Sequence, residues 1–127
     1  MQTVVVLGAS PKAERYSNKA IKLLQKYGHQ VIPVNRGYEE IEGLKTYKSL
    51  AEVSGSVDTL TVYIGAKLIG PIIPEIIAFK PGRVILNPGT EDESLIKALE
   101  EAQIPHQVAC TLVLLRTNQF EPISSNK

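Results

Sequence analysis

Two hydrophobic periods divide the chain. Thr3 to Leu7 is a continuous apolar, mostly β-branched run that stops at Gly8. A strand that is apolar on both faces belongs in the middle of a covered parallel sheet. From Ser17 to Tyr27 the pattern changes. Ala20, Leu23, Leu24 and Tyr27 recur at helical spacing, with Ile21 beside them, and Gly28 is a fitting stop. Gln30 to Val34 predicts a second strand, Leu44 to Tyr47 a short third one, and Ser49 a cap for a brief helix through Val53. Thr59 to Ile64 predicts a fourth strand. Lys67 to Phe79 predicts a helix, with Pro71 and Pro74 near its start. Val84 to Leu86 reads as the fifth strand. Thr90, with Glu93 three residues on, reads as a capping box that opens a helix striped by Leu95, Ile96 and Leu99. His106 to Cys110 predicts the last strand, and Leu112 to Leu115 extends the core.

Strands that alternate with helices at this spacing imply right-handed βαβ units. The fold class expected is therefore α/β: a Rossmann-like, three-layer parallel sheet in a single domain spanning residues 1–127. Ligands in such sheets bind beyond the carboxyl ends of the strands, where strand order reverses. With the order 3-2-1-4-5, the reversal falls between the first and fourth strands, and the loops that start at Gly8 and Gly65 face each other.

Composition narrows the partners. The 127 residues are enough for one hydrophobic core, and 43% hydrophobic with 21% charged residues is ordinary globular usage. A formal net charge of +1 recommends neither a nucleic acid nor an anionic membrane as partner. The lone cysteine, Cys110, suits a reducing compartment. The apolar run at the N-terminus is short for a signal segment, and no stretch approaches the roughly 20 apolar residues of a membrane span. A cytoplasmic location is expected, and the polar residues Pro122 to Lys127 are expected to fray.

Candidate chemistry begins at Gly8-Ala9-Ser10-Pro11, between a buried strand and a helix. Backbone N–H groups at such a loop favour an anion, although a plain turn also needs such a glycine. Arg15, Ser17 and Asn18 add donors. The dinucleotide fingerprint G-x-G-x-x-G is absent, because no glycine follows Gly8 until Gly28. At the end of the second strand, Asn35-Arg36 stands where an NAD enzyme places an acid. An amide and a cation favour a phosphate on the adenosine ribose, which both NADP and coenzyme A carry. A solvated surface arginine is the other reading of Arg36. Asn87-Pro88-Gly89-Thr90-Glu91 supplies a wall for the cleft, or simply a capped turn. His29 and His106 have no partners at metal spacing, so no metal is expected. Cys110 lies in an apolar stretch and reads as a buried small hydrophobe. No G-x-S-x-G elbow, P-loop or paired-carboxylate pattern appears, so no catalytic residue is assigned.

Together these segments resemble the small stand-alone CoA-binding domain proteins, which are related to the CoA-binding domain of the succinyl-CoA synthetase α subunit. The resemblance rests on Val6-Leu7-Gly8-Ala9-Ser10-Pro11-Lys12 followed by Arg15-Tyr16-Ser17-Asn18. It continues in Val31-Ile32-Pro33-Val34-Asn35, Ile41-Glu42-Gly43-Leu44, Val57-Asp58 and Pro88-Gly89. It implies that Gly8, Ala9, Ser10 and the residues after them, Lys12, Arg15, Ser17 and Asn18, hold the CoA phosphates. It places Asn35 and Arg36 near the adenosine end, has Tyr63, Ile64 and Gly65 flank the nucleotide, and closes the cleft with Pro88 and Gly89. Two departures stand out. Ile64 and Gly65 occupy positions where many members carry arginines, and Arg36 stands where many carry proline. The implied function is non-catalytic binding of coenzyme A or an acyl-CoA, as carrier, sensor or regulatory module. The alternative is an NADP- or other nucleotide-dependent enzyme on the same fold. The expected partners are a small nucleotide ligand and either a second copy or a partner enzyme.

Overall fold

The computed structural model describes residues 1–121. The expectation for Pro122 to Lys127 lies outside the described residues. Strands β1 (Thr3–Leu7), β2 (Gln30–Val34), β5 (Thr59–Val62), β6 (Arg83–Leu86) and β7 (His106–Val108) form one parallel sheet in the order β2-β1-β5-β6-β7. Helices α1 (Tyr16–Lys26), α2 (Ile73–Phe79), α3 (Glu93–Glu101) and α4 (Thr111–Arg116) cover it. The central strand sorts its side chains by parity. Val5 and Leu7 join Leu60, Val62, Val84 and Leu86 on the face covered by Ile76, Leu95 and Leu99. Val4 and Val6 join Ile85 on the face covered by Ile21, Leu24 and Leu115. Both faces of β1 are therefore dry, as its unbroken apolar run demands.

The expected third strand does not form within the sheet. Leu44–Lys45 is β4, which pairs antiparallel with β3 (Glu40–Ile41) in a separate hairpin. Its two-residue turn, Glu42-Gly43, has φ of 53° and 75°. Two consecutive positive φ values match the twist of a tight hairpin and rule out a through-running strand. Only Tyr47 reaches the sheet, through a single parallel bridge to Val34. The order reversal falls where expected, between β1 and β5, the strand read as the fourth.

Other ends also shift. The strand expected from Thr59 to Ile64 stops at Val62. The helix expected from Lys67 opens as a 3-10 turn at Gly70–Ile72 and becomes α-helical at Ile73. The helix expected at Thr90 starts at Glu93, and Asp92 caps it by accepting Leu95 N–H at 3.0 Å. Thr90 lies two residues before that cap, in a turn closed onto the Asn87 carbonyl by its N–H at 2.9 Å and its hydroxyl at 2.7 Å. The last strand stops at Val108, and Cys110 precedes α4 as a half-buried thiol, not a buried strand residue.

At the amino end of the sheet, Tyr27, His29, Leu115 and Phe120 line a second cavity of about 430 Å³. His29 Nδ1 accepts Gln2 N–H at 3.0 Å, and its ring meets Phe120 edge-on at 5.1 Å. The Arg83 guanidinium lies 4.7 Å from the same Phe120 ring. No helix among the described residues is long and apolar enough to cross a membrane.

Candidate functional site

The carboxyl ends of β1, β5 and β6 open into a cleft of about 440 Å³. Its first wall is the loop after β1. Gly8 holds φ at 88°, and a Cβ there would come within 2.9 Å of Ile64 Cγ1 and 3.1 Å of the Tyr63 carbonyl carbon. The glycine thus lets two loops of the protein touch each other, which is a tighter constraint than room for a ligand. The Gly8 and Ala9 N–H groups both donate to the Val34 carbonyl, at 3.1 and 3.2 Å. The donors expected from these two residues are therefore spent within the fold.

Free donors occur further on. Helix α1 begins after Arg15, with no capping side chain and no acid in its first turn. The leading N–H groups of a helix have no intrahelical partner and carry its positive pole. Arg15, Tyr16 and Ser17 line the cleft at this point, with Lys12 beside them. The lining side chains include these two cations and no carboxylate.

Asn18 lies beneath the loop and not in the cleft wall. It is fully buried, and its Nδ2 donates to the Ser10 carbonyl and to Glu42 Oε2, both at 2.9 Å. Asn35 lines the cleft, but its amide is largely occupied. Nδ2 donates to the Ala9 carbonyl at 2.7 Å, and Oδ1 accepts Gly37 N–H at 2.8 Å. Arg36 and Ile64 line a neighbouring groove of about 270 Å³ with Lys48, Leu68 and Ile72. That groove shares Gly8 and Asn35 with the cleft.

The opposite wall comes from β5 and β6. Tyr63, Gly65, Pro88, Gly89 and Thr90 line it. A buried polar chain supports it. Asn87 donates to Thr61 Oγ1 at 2.7 Å and to the Val62 carbonyl at 2.8 Å, and it accepts Thr111 N–H at 2.9 Å. The Thr61 and Thr111 hydroxyls are 2.8 Å apart and so are engaged with each other. The adjacent Tyr63 hydroxyl is buried without a partner of good geometry. Burial pushes this phenol up to about 12, against a smaller opposing effect of the Thr111 and Thr61 hydroxyls. Glu91 folds back to accept Gly89 N–H at 2.6 Å, and the backbone N–H groups of Glu91 itself and of Gly89 hold its carboxyl below the usual range.

Residues 2–116 match the model of the CoA binding domain. The chain belongs to the CoA-binding domain family. A solved structure of an uncharacterized protein is 38% identical to this family member, with a TM-score of 0.88, covering 94% of this chain and 98% of the other. The alpha subunit of an ADP-forming acetate–CoA ligase II from Pyrococcus furiosus is 36% identical over 67 residues, 52% of this chain and 15% of that subunit. The uncharacterized protein YneT of Bacillus subtilis is 35% identical over 60 residues, 47% of this chain and 44% of YneT. The matched regions thus span less than half the length of these two curated relatives.

Two lining residues of this CoA-binding domain were not expected from sequence: Tyr16 and Tyr38. Tyr16 sits between Arg15 and Ser17, so its place at the helix start was the available signal. Tyr38 carried none, because it reaches the cleft through the irregular turn at residues 35–37. His29 and His106 lie at the amino ends of β2 and β7, away from the cleft, and His106 Nδ1 is 2.9 Å from the Ile104 carbonyl. Among the described residues no group of three His, Cys, Asp or Glu can hold a metal.

Proposed function

We propose that the cleft binds coenzyme A or an acyl-CoA without turning it over, as the ligand site of a carrier, sensor or regulatory module. The observation that carries this reading is the uncapped start of α1, flanked by Lys12 and Arg15 in a cleft lined by no carboxylate. Unpaired helix N–H groups with two cations suit a pyrophosphate. Lys12, Arg15 and Ser17 take the phosphates. Asn35 and Arg36, at the exit of β2, face the adenosine end. The Tyr63–Gly65 turn flanks the nucleotide, and Pro88 and Gly89 close the cleft. The family and the ligase relative, both named for CoA, favour the same ligand.

Binding without chemistry is supported by the makeup of the lining. It offers no histidine, carboxylate or cysteine as an acid or base. Its Tyr63 phenol, raised to about 12, stays protonated at neutral pH. In this reading residues 1–127 act as one binding unit. A single cysteine suits the reducing cytoplasm, and the unit works as a homo-oligomer or beside a partner enzyme.

Native mass spectrometry of freshly purified protein tests the ligand. A retained mass of CoA or an acyl-CoA is expected. Retained NADP would overturn the reading in favour of a nucleotide-dependent enzyme, and steady hydrolysis of added acyl-CoA would overturn its non-catalytic part.

A further inference from the structure

Three aromatic rings are exposed among the described residues: Tyr16 at 68%, Tyr27 at 47% and Tyr38 at 40%. Tyr27 belongs to the amino end of the molecule, in a groove with His29 and Phe120. The other two line the cationic cleft. A single exposed tyrosine needs no explanation. Two on one concave, positively charged site form a surface with π faces, cations and hydrogen-bond donors, which is the chemistry that holds a nucleotide base.

Tyr38 is also mounted firmly. Asn35 Oδ1 accepts Gly37 N–H at 2.8 Å and so fixes the turn that leads to it. The β3–β4 hairpin follows directly. Ile41, 1% exposed, plugs this hairpin into the core on the α1 side of the sheet. Glu42, at the hairpin turn, reaches Asn18 Nδ2 at 2.9 Å and so joins the hairpin to α1. A ring carried between a fixed turn and an anchored hairpin gives up little conformational freedom when a flat group stacks on it. Tyr38 lies four positions past Val34, the last residue of β2, on the side of the cleft where the adenosine end is placed.

We propose that the adenine base of the bound ligand stacks on Tyr38, which makes the turn between β2 and the hairpin the base-recognising element of the site. This rests on the CoA reading of the cleft. Tyr16, already faced by the Lys19 ammonium at 5.4 Å, stands at the phosphate-binding start of α1 and not at the base.

Calorimetry with three ligands tests it: CoA, its adenosine bisphosphate half and its phosphopantetheine half. Tyr38→Leu should weaken CoA and the adenosine half by about fivefold or more, the usual worth of one stacked base, and leave the phosphopantetheine half unchanged. Tyr38→Phe should restore wild-type affinity, and Tyr27→Leu should change nothing. The chain has no tryptophan, so tyrosine emission gives a second readout on the unmodified protein. The adenosine half should quench it and the phosphopantetheine half should not. Equal losses for both halves, or no loss in Tyr38→Leu with CoA still bound by the wild type, would overturn the stacking alone. A wild type that binds none of the three ligands would overturn the CoA reading and the stacking together.

Discussion

Glu42 Oε2 accepts a hydrogen bond from Asn18 Nδ2 at 2.9 Å and so ties a hairpin turn to the first turn of α1. The same Nδ2 holds the Ser10 carbonyl at 2.9 Å. One buried amide therefore fixes both the loop after β1 and the hairpin beside it. Asn18→Leu should leave two acceptors without their donor, and it should lower stability by about 1–3 kcal/mol. Glu42→Ala should cost less, because its side chain is 27% exposed and water can replace it at Asn18. Chemical denaturation of both variants checks the order. A larger loss in Glu42→Ala would mean that the hairpin, not the amide, carries the tie.

Gly8 and Gly89 separate two roles of glycine. Both have φ near 89°, at 88° and 89°, but only at Gly8 does an added Cβ meet other atoms within 4 Å. Gly89→Ala should cost about 1 kcal/mol for the left-handed backbone alone. Gly8→Ala should cost a further 1–3 kcal/mol or so from the clash with Ile64 and Tyr63. The loss should show in the melting temperature before any ligand is added. Equal melting temperatures for the two variants would show that the Tyr63–Ile64 turn yields freely.

Tyr63 gives the fold an alkaline limit. Its folded pKa is about 12, above the ordinary value of 10.0, because burial disfavours the phenolate. The unfolded chain therefore loses this proton first as pH rises. The stability contribution is complete below pH 10 and is lost between about pH 10 and 12, by up to about 3 kcal/mol. Other groups titrate in the same window, so the difference from Tyr63→Phe is the quantity to measure. The variant should lose less stability than the wild type over that range in urea denaturation. Parallel losses would place the phenol in water.

Lys12 and Arg15 should set the electrostatics of binding. Replacing either by Gln should weaken CoA about tenfold, near the lower worth of a charged hydrogen bond. Affinity of the wild type should fall as salt rises, and the double variant should show a flatter dependence. Calorimetry across ionic strength measures both, and an unchanged salt slope would remove the two cations from the phosphate site.

The sequence by itself determined the layers. The runs at Thr3–Leu7 and Gln30–Val34, and the stripe from Ala20 to Leu24, carry their burial in local periodicity, so each forms as its pattern predicts, and the run read from Thr59 to Ile64 forms a strand that stops at Val62. It also determined that Gly8, Ser10, Arg15 and Pro88 would meet, because parallel order brings strand exits to one edge. What tertiary structure decided were local partners. Thr90 was read as the cap of α3, but a turn onto the Asn87 carbonyl holds it two residues early and Asp92 caps the helix. Gly8 and Ala9 offered N–H groups to a ligand, and the Val34 carbonyl took them. Leu44 to Tyr47 had the composition of a sheet strand, yet the positive φ values at Glu42 and Gly43 turned Leu44–Lys45 back onto Glu40–Ile41. A hydrophobic period is summed over a segment and survives any arrangement that buries one side of it. A hydrogen-bond donor goes to whichever acceptor packing brings within about 3 Å, and that acceptor is often distant in the chain.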